Sequence, residues 1–211
     1  MLVLAIDTST PAVTVALHDG ARVRAESTTI DARRHAELVA PAIVDVLAGA
    51  GADRRDITSV AVGVGPGPFT GLRIGVVTAR VLGAALGVPV YGMCSLDVVA
   101  RRVRVDGPFV VAADARRREV YWARYDAAGR RLDGPAVGAP VDVATSLPVA
   151  GEGPRLYPQE FPNAVQPQYP NAADLAAAVA AGSTDLVRPN PLYLRRPDAR
   201  PPGAPKPVLT R

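Results

Sequence analysis

Acidic and hydroxyl side chains follow the first apolar segment of the chain, at Asp7-Thr8-Ser9-Thr10. A carboxylate at the end of a strand can hold metal-bound water beside a phosphate, and a turn of hydroxyl groups can donate hydrogen bonds to that phosphate. The same four residues also suit a simple turn that closes a hairpin through local hydrogen bonds. Taken alone, the segment favours the simple turn.

A glycine-rich stretch at residues 63–75 is the second candidate for phosphate chemistry. It follows an apolar run and reads G-V-G-P-G-P-F-T-G-L-R-I-G. Its glycines and prolines predict a strand that ends, a tight loop, and a helix whose first N–H groups are left free. Such a loop can bind an anion, or it can let the backbone of another protein approach closely.

A nucleotide-binding protein of the actin type needs a second phosphate loop, usually Asp-x-Gly, at the start of its second domain. The corresponding segment here is Asp114-Ala115-Arg116-Arg117-Arg118, where arginines replace glycines. These arginines could bind an anion, but three charges on a turn more often form a solvated loop. Lys206 is the only lysine, which excludes Walker-type and Schiff-base lysine chemistry within the folded body.

Metal and nucleophile chemistry lack the residues that they need. His18 and His35 are the only histidines and lie on different predicted elements, and Cys94 is the only cysteine. No serine stands in a Gly-x-Ser-x-Gly setting. The sequence therefore predicts no catalytic residue, no metal site and no cofactor.

The elements around these motifs predict an α/β fold. Residues 1–94 read as three strands in an antiparallel meander, then helix, strand, helix and strand, with short connections that make the last strands parallel. The break at Asp106-Gly107-Pro108 precedes two further strands and an alanine-rich helix at about 172–181. We expect an N-terminal lobe at 1–105, a smaller lobe at 106–196, and a disordered Pro-rich basic tail at 197–211.

The positive charge of the chain is concentrated at its end. The formal net charge is +4, yet the residues from Arg188 onward carry +5, so residues 1–187 sum to −1. This distribution argues against a basic face on the body, and a solvated tail is the simpler interpretation of the end. Arginines interrupt each long apolar stretch before the roughly 20 residues that a membrane span needs. The start of the chain has no signal-peptide pattern, so we expect a soluble, cytoplasmic protein.

The helix predicted at about 70–86 carries Gly71, Gly75, Ala79 and Gly83 on one stripe. Glycine inside a helix costs about 1 kcal/mol relative to alanine, so close packing must compensate for it. The packing partner is either this protein's own sheet and first helix or a helix of another chain. The sequence leaves both possibilities open.

Several segments together resemble the TsaB (YeaZ) family, the bacterial non-catalytic partners in threonylcarbamoyl-adenosine modification of tRNA. They are residues 4–10, 35–41, 65–75, 94–96 and 114–121, and the string Gly65-Pro66-Gly67-Pro68-Phe69-Thr70-Gly71-Leu72-Arg73-Ile74-Gly75 is the most specific. The resemblance covers residues 1 to about 125 and extends weakly to 191–195. The family usually has serine where this chain has Pro68.

The resemblance implies an actin-like/Hsp70-like (ASKHA) fold of two related lobes, the second reduced. It implies that the N-terminal lobe pairs through its helices with a TsaD-like catalytic subunit and works with a TsaE-like ATPase. In that arrangement tRNA is reached through the complex, a homodimer can form when the chain is alone, and no membrane is involved. In the catalytic sister family, histidines that bind a metal stand at the positions that Ser95 and Val99 occupy here, so the resemblance implies that this metal site is absent. The implied partner-interface residues are His35, Leu38, Pro41, Ala42, Phe69, Thr70, Leu72, Arg73, Gly75 and Ala79; the implied vestigial nucleotide loop comprises Asp7, Thr8, Ser9, Gly65 and Gly67.

Two other functions stay open. One is an enzyme, either an actin-like ATP-dependent phosphotransferase or an M22-type peptidase homologue, that would rely on Asp7 and the Gly65–Gly67 loop. Tight Mg-ATP binding that Asp7→Ala abolishes would favour this enzyme. A tRNA-binding module would use the basic tail, and its RNA affinity would depend on salt.

Overall fold

The computed structural model describes residues 1–195, which form two β-sheets with helices packed on them. The strands of the first sheet are β1 (Val3–Asp7), β2 (Ala12–His18), β3 (Val23–Ile30), β4 (Ser59–Gly63) and β5 (Val90–Met93). They lie in the order β3-β2-β1-β4-β5, with β1, β2 and β3 antiparallel and β1, β4 and β5 parallel. The predicted meander, the predicted parallel unit and the expected α/β fold are confirmed.

Two helices cover one face of this sheet: α1 (His35–Ala50) and α2 (Phe69–Leu86). Each ends at a glycine in the left-handed region, Gly51 and Gly87, a conformation that glycine adopts without a steric penalty. Strand β1 is buried on both faces, with Leu4 facing α1 and α2 while Ala5 faces the opposite side. Burial of both faces explains why this strand reads as a continuous apolar run.

The second sheet contains β6 (Phe109–Asp114), β7 (Val120–Tyr125), β8 (Arg131–Gly138) and β9 (Val149–Ala150), in the order β8-β7-β6-β9. The two strands predicted after the break at 106–108 are confirmed as β6 and β7. β8 was not predicted, because it is an exposed edge strand whose Gly134-Pro135 breaks the apolar alternation. The remaining helices are α3 (Ser95–Ala100), α4 (Gly153–Leu156) and α5 (Ala172–Ala180).

Helix α5 returns to the first sheet and packs on the face opposite α1 and α2. Its Ala172 N–H donates to the Thr14 hydroxyl at 3.1 Å, and its alanines allow close approach to β1 and β2. The domain boundaries expected from sequence assign this helix to the second lobe and stay a prediction. The expected tail at 197–211 lies outside the described residues.

A C-terminal strap, residues 187–195, connects the two sheets. Gly92 and Val187 exchange two backbone hydrogen bonds of 2.8 Å, and the Leu192 N–H donates to the Val64 carbonyl at 2.7 Å. At the far end, Arg195 donates to the Ala115 carbonyl at 3.0 Å. The strap therefore crosses the glycine-rich loop and reaches the arginines of the second lobe.

Helix α2 is long and apolar enough, by length and composition alone, to cross a membrane. It carries Arg73 and Arg80, and Leu72, Val76 and Ala79 are buried against the sheet. These contacts are those of a core helix in a packed domain.

Candidate functional site

Asp7 is fully buried at the sheet edge where the parallel strands β1, β4 and β5 end. Its Oδ1 accepts hydrogen bonds from the N–H and the hydroxyl of Ser9, at 2.8 and 2.6 Å. Its Oδ2 accepts one from the Ser95 hydroxyl at 2.7 Å. Burial raises the pKa of Asp7 above its ordinary value, while the bonds from Ser9 and Ser95 lower it. Three donors of this chain therefore fix the carboxyl group.

Ser95 links this carboxyl group to the glycine-rich loop. Its hydroxyl accepts a hydrogen bond from the Gly65 N–H at 3.2 Å, and its own N–H donates to the Gly65 carbonyl at 2.7 Å. A Cβ at Gly63 would overlap with Oδ2 of Asp7. The sequence analysis missed Ser95 as a member of the cluster. Its position near Asp7 could have been predicted, because Ser95 follows a parallel strand closely and residues that follow parallel strands meet at the carboxyl edge of the sheet.

The loop before α2 closes onto the turn after β1. A Cβ at Gly67 would overlap with the carbonyl oxygen of Ser9, and one at Gly71 would lie 2.7 Å from the carbonyl oxygen of Thr8. The Thr8 hydroxyl donates to the Gly71 carbonyl at 2.7 Å and accepts from the Gly75 N–H at 2.9 Å. These glycines therefore serve close packing between the turn and the helix.

Several of the groups that could bind a phosphate are engaged within the chain. The N–H and hydroxyl of Ser9 donate to Asp7, and the N–H of Gly65 donates to Ser95. Pro68 stands at the N-cap of α2 and makes no side-chain cap bond. Asp7, Ser9 and Gly65 thus join Ser95 in one closed, hydrogen-bonded cluster. Thr8 is bonded to α2, and Gly67 packs against the carbonyl oxygen of Ser9.

Several residues expected at a partner interface lie inside this chain. Leu72 and Ala79 are fully buried on the sheet side of α2, and Ala42 belongs to the same core from α1. Gly75 contacts Thr8, as described above, and His35 is buried with its Nε2 2.8 Å from the Thr10 carbonyl oxygen. The small-residue stripe therefore packs against this protein's own sheet. In this fold these five residues support the helices and do not form their outer surface.

The other expected interface residues remain accessible. Pro41, Thr70 and Arg73 are exposed, and Leu38 and Phe69 are half-buried. Contact between a partner and these residues stays a prediction.

An outer helical face, which we define as Pro41, Val44, Val77 and Val81, lies on α1 and α2 away from the sheet. The valines are 64%, 56% and 61% exposed, respectively. Since both helices pack on the same side of the sheet, their outer residues face the same direction. The sequence analysis missed the three valines, although positions 77 and 81 are one turn apart and fall outside the inward stripe.

An aromatic pair lies at the beginning of α2. The rings of Phe69 and Tyr193 stack with centroids 5.0 Å apart. The Arg73 guanidinium lies 3.6 Å above the Phe69 ring, and its Nε donates to the Tyr193 hydroxyl at 2.8 Å. Phe69 and Arg73, two expected interface residues, are thus held in place by the C-terminal strap.

The arginine loop, residues 116–118, has an unusual backbone. Arg116, Arg117 and Arg118 have φ angles of 62°, 57° and 61°, and left-handed backbone costs a non-glycine residue about 1–2 kcal/mol. All three residues are exposed. The Arg116 N–H donates to the Asp114 carboxylate at 2.7 Å, and the Arg116 guanidinium lies 3.2 Å from the same carboxylate. The loop therefore presents arginines from a strained turn.

A cleft of about 350 Å³ separates the arginine loop from the first lobe. Arg116 lines it from the second lobe, and Thr8, Arg33 and Phe69 line it from the first. The cleft opens beside the closed cluster and not into it.

Glu152 was also missed by the sequence analysis. It is 3% exposed, and burial together with the nearby charge of Asp114 raises its pKa, while Arg155, 3.9 Å away, lowers it.

Across residues 1–195, no group of three or more His, Cys, Asp or Glu side chains could hold a metal ion.

Comparisons with known proteins agree with the fold and the loop. The model of the family described as TsaD, tRNA N6-adenosine threonylcarbamoyltransferase, matches residues 23–180. An uncharacterized protein of Mycobacterium leprae is 47% identical over 207 residues, which cover 95% of this chain and 56% of that protein. The tRNA threonylcarbamoyladenosine biosynthesis protein TsaB of Escherichia coli is 39% identical over 128 residues, which cover 59% of this chain and 55% of that protein.

A solved structure is also similar over most of the chain. YeaZ from Pseudomonas aeruginosa superposes with a TM-score of 0.78 and 32% sequence identity, over 92% of this chain and 99% of that chain. The chain therefore spans just over half of the two sequence relatives and nearly all of the structural one.

Proposed function

Because the chain belongs to the TsaB (YeaZ) family, we propose that it is a non-catalytic subunit in the threonylcarbamoylation of adenosine 37 in tRNAs that read codons beginning with A. In this proposal it pairs with a TsaD-like catalytic protein and acts with a TsaE-like ATPase. The name of the E. coli relative supports the pathway. We propose a cytoplasmic location, where tRNA is modified, and the buried free thiol of Cys94 suits a reducing compartment.

The observation that carries the partner role is the outer helical face. Scattered exposed apolar residues are normal in a soluble protein, but here three exposed valines lie on two helices that cover the same face of the sheet. Contiguous exposed apolar surface is typical of protein–protein interaction sites. A stable interface buries about 800 Å² per partner, an area that two helices and their first turns can supply. We place Thr70 and Arg73 at the rim of this interface.

The non-catalytic role is supported by the closed cluster. A phosphate-binding loop works by presenting free N–H groups and hydroxyls to the anion. In this chain Ser9 and Gly65 donate to Asp7 and Ser95, so a nucleotide would have to break these bonds before it could form its own. The cluster is therefore better suited to holding the turn, the loop and α2 together than to binding a substrate.

The proposal is tested by reconstitution of the transfer reaction. Labelled threonylcarbamoyl transfer to tRNA is measured with the candidate catalytic protein and ATPase, with and without this chain. We expect transfer to depend on the chain, and we expect the chain alone to hydrolyse no nucleotide. Transfer that proceeds equally well without the chain would contradict the proposal.

A surface variant tests the interface separately. Val81→Asp places a charge on the outer helical face, whereas Val141→Asp places the same charge on a 70% exposed valine of the second lobe. We expect Val81→Asp to weaken binding to the catalytic protein at least tenfold, because the charge would be desolvated in the complex. We expect Val141→Asp to bind like the parent chain. Equal binding by both variants would refute the assignment of this face.

A further inference from the structure

The arginine loop is not used by the proposed partner interface, although Thr70 at the rim of that interface also lines the cleft beside the loop. Arg116, Arg117 and Arg118 occupy consecutive left-handed positions, which glycine would adopt without a steric penalty. Arginine at these positions therefore lowers stability, and what it adds is three guanidinium groups on one turn. Strained backbone of this kind is concentrated at functional sites.

The surroundings of the loop add to its positive charge. Arg33 lines the opposite wall of the cleft and forms no ion pair within residues 1–195. Arg116 and Arg33 line the cleft from opposite sides, and Arg117 and Arg118 are exposed on the turn next to it. Since residues 1–187 sum to a net charge of −1, these arginines concentrate positive charge on an otherwise balanced body. Guanidinium groups bind phosphate through two parallel hydrogen bonds.

Aromatic rings at the rim of the cleft indicate the class of ligand. Phe69 lines the cleft, and Tyr193, which stacks on it, is 40% exposed. Arginines combined with an exposed aromatic side chain suit single-stranded RNA, whose phosphates pair with the guanidinium groups and whose bases can stack on the Tyr193 ring. We infer that the arginine loop, together with Arg33 and Tyr193, binds the single-stranded anticodon loop of the tRNA substrate. This inference rests on the proposed function, which makes such a loop the substrate.

The test measures how RNA affinity depends on salt. A fluorescent anticodon stem-loop RNA is titrated with the full chain, alone and mixed with the candidate catalytic protein, at several salt concentrations. The variant R116N/R118N removes two charges, and asparagine tolerates the left-handed backbone. The matched control R54N/R55N removes two charges from exposed residues beyond the opposite end of the sheet, just before β4.

Each lost contact to a single strand lowers the salt slope by about 0.7. We therefore expect R116N/R118N to lower the slope by about 1.4 and to weaken binding about 25-fold at 0.1 M salt. R116K/R118K should retain most of the slope, and R54N/R55N should bind like the parent chain. An unchanged slope in R116N/R118N, or an equal loss in R54N/R55N, overturns the inference.

Three further outcomes separate this inference from the proposed function. If R116N/R118N loses binding to the catalytic protein while its RNA slope is unchanged, the loop is a protein contact and the RNA assignment is wrong. If transfer depends on the chain but the RNA slopes are equal, only this inference fails. If transfer does not depend on the chain, the proposed function fails, whatever the slopes are.

Discussion

Replacement of Ser95 by alanine tests whether the turn after β1 and the glycine-rich loop are locked together. The Ser95 hydroxyl donates to Asp7 at 2.7 Å and accepts from the Gly65 N–H at 3.2 Å, and all three groups are buried. A hydrogen bond to a charged group contributes about 1.5–3 kcal/mol, and a buried N–H without a partner costs about 1–3 kcal/mol. We expect Ser95→Ala to lower the free energy of unfolding by about 3 kcal/mol. For a chain of this size, that loss lowers Tm by about 6–12 °C.

Ser183 offers a matched control for this substitution. Its hydroxyl also donates to a carboxylate, that of Asp185 at 3.2 Å, and accepts from the Asp185 N–H at 3.3 Å, but at the surface. We expect Ser183→Ala to change stability by less than about 0.5 kcal/mol, because water replaces the lost bonds. Denaturant unfolding of both variants and the parent chain measures the difference. A loss in Ser95→Ala as small as that in Ser183→Ala would refute the locked cluster.

The pH dependence of Ser95→Ala gives a second reading of the same cluster. Burial raises the pKa of Asp7 in the folded state, and the bond from Ser95 lowers it. Without that bond the pKa of Asp7 in the folded state rises further, so the Asp7 carboxyl group stays protonated up to a higher pH. Where the folded state binds more protons than the unfolded state, stability falls as pH rises. We therefore expect the loss in Ser95→Ala to be larger at pH 7 than at pH 4, and a loss independent of pH would contradict the assignment to Asp7.

Three more substitutions or reactions follow from the structure. Gly67→Ala should prevent accumulation of folded protein, because its Cβ would lie 2.9 Å from the carbonyl carbon of Ser9. The control Gly107→Ala has nothing within 4 Å of its Cβ and should fold normally in the same expression and melting assay. Arg118→Gly should raise the free energy of unfolding by about 1 kcal/mol and Tm by about 2–4 °C, because glycine relieves the left-handed strain; a lower Tm would show that this backbone is not strained. Burial raises the pKa of Cys94 to about 12, so iodoacetamide at pH 8 should modify it only after unfolding, as followed by mass spectrometry; rapid reaction of the native chain would contradict its burial.

The first lobe could be predicted from sequence because its signals are local. The apolar runs, the turn at Asp19-Gly20 and the glycine at the end of α1 each mark a boundary within a few residues. The second lobe gave weaker signals, since β8 is an exposed edge strand and β9 has only two residues. The return of α5 to the first sheet depends on contacts between distant segments, such as Ala172 with Thr14, which no local pattern encodes.

The candidate site shows the same division. Asp7 and the loop glycines were selected from their residue types and positions, because a carboxylate and glycines after strands suit phosphate binding as well as turns. Ser95 and Tyr193 were missed because their roles arise from contacts with residues 88 and 120 positions away. The left-handed backbone of the arginine loop was also beyond reach, since arginine has no preference for it and the sequence there favoured an ordinary solvated turn.

Of the two packing partners that the sequence left open for the small-residue stripe of α2, the structure shows this protein's own sheet and the turn after β1. A helix repeats every 3.6 residues, so the positions that face the sheet differ from those that face outward. Gly75 and Ala79 face inward, and the contact between Gly75 and Thr8 compensates for glycine in a helix. Val77 and Val81 face outward and remain exposed. Substitutions at the inward positions should therefore act on stability, whereas substitutions at the outward positions should act on the proposed partner binding. This separation would let one helix support the core and hold the proposed partner.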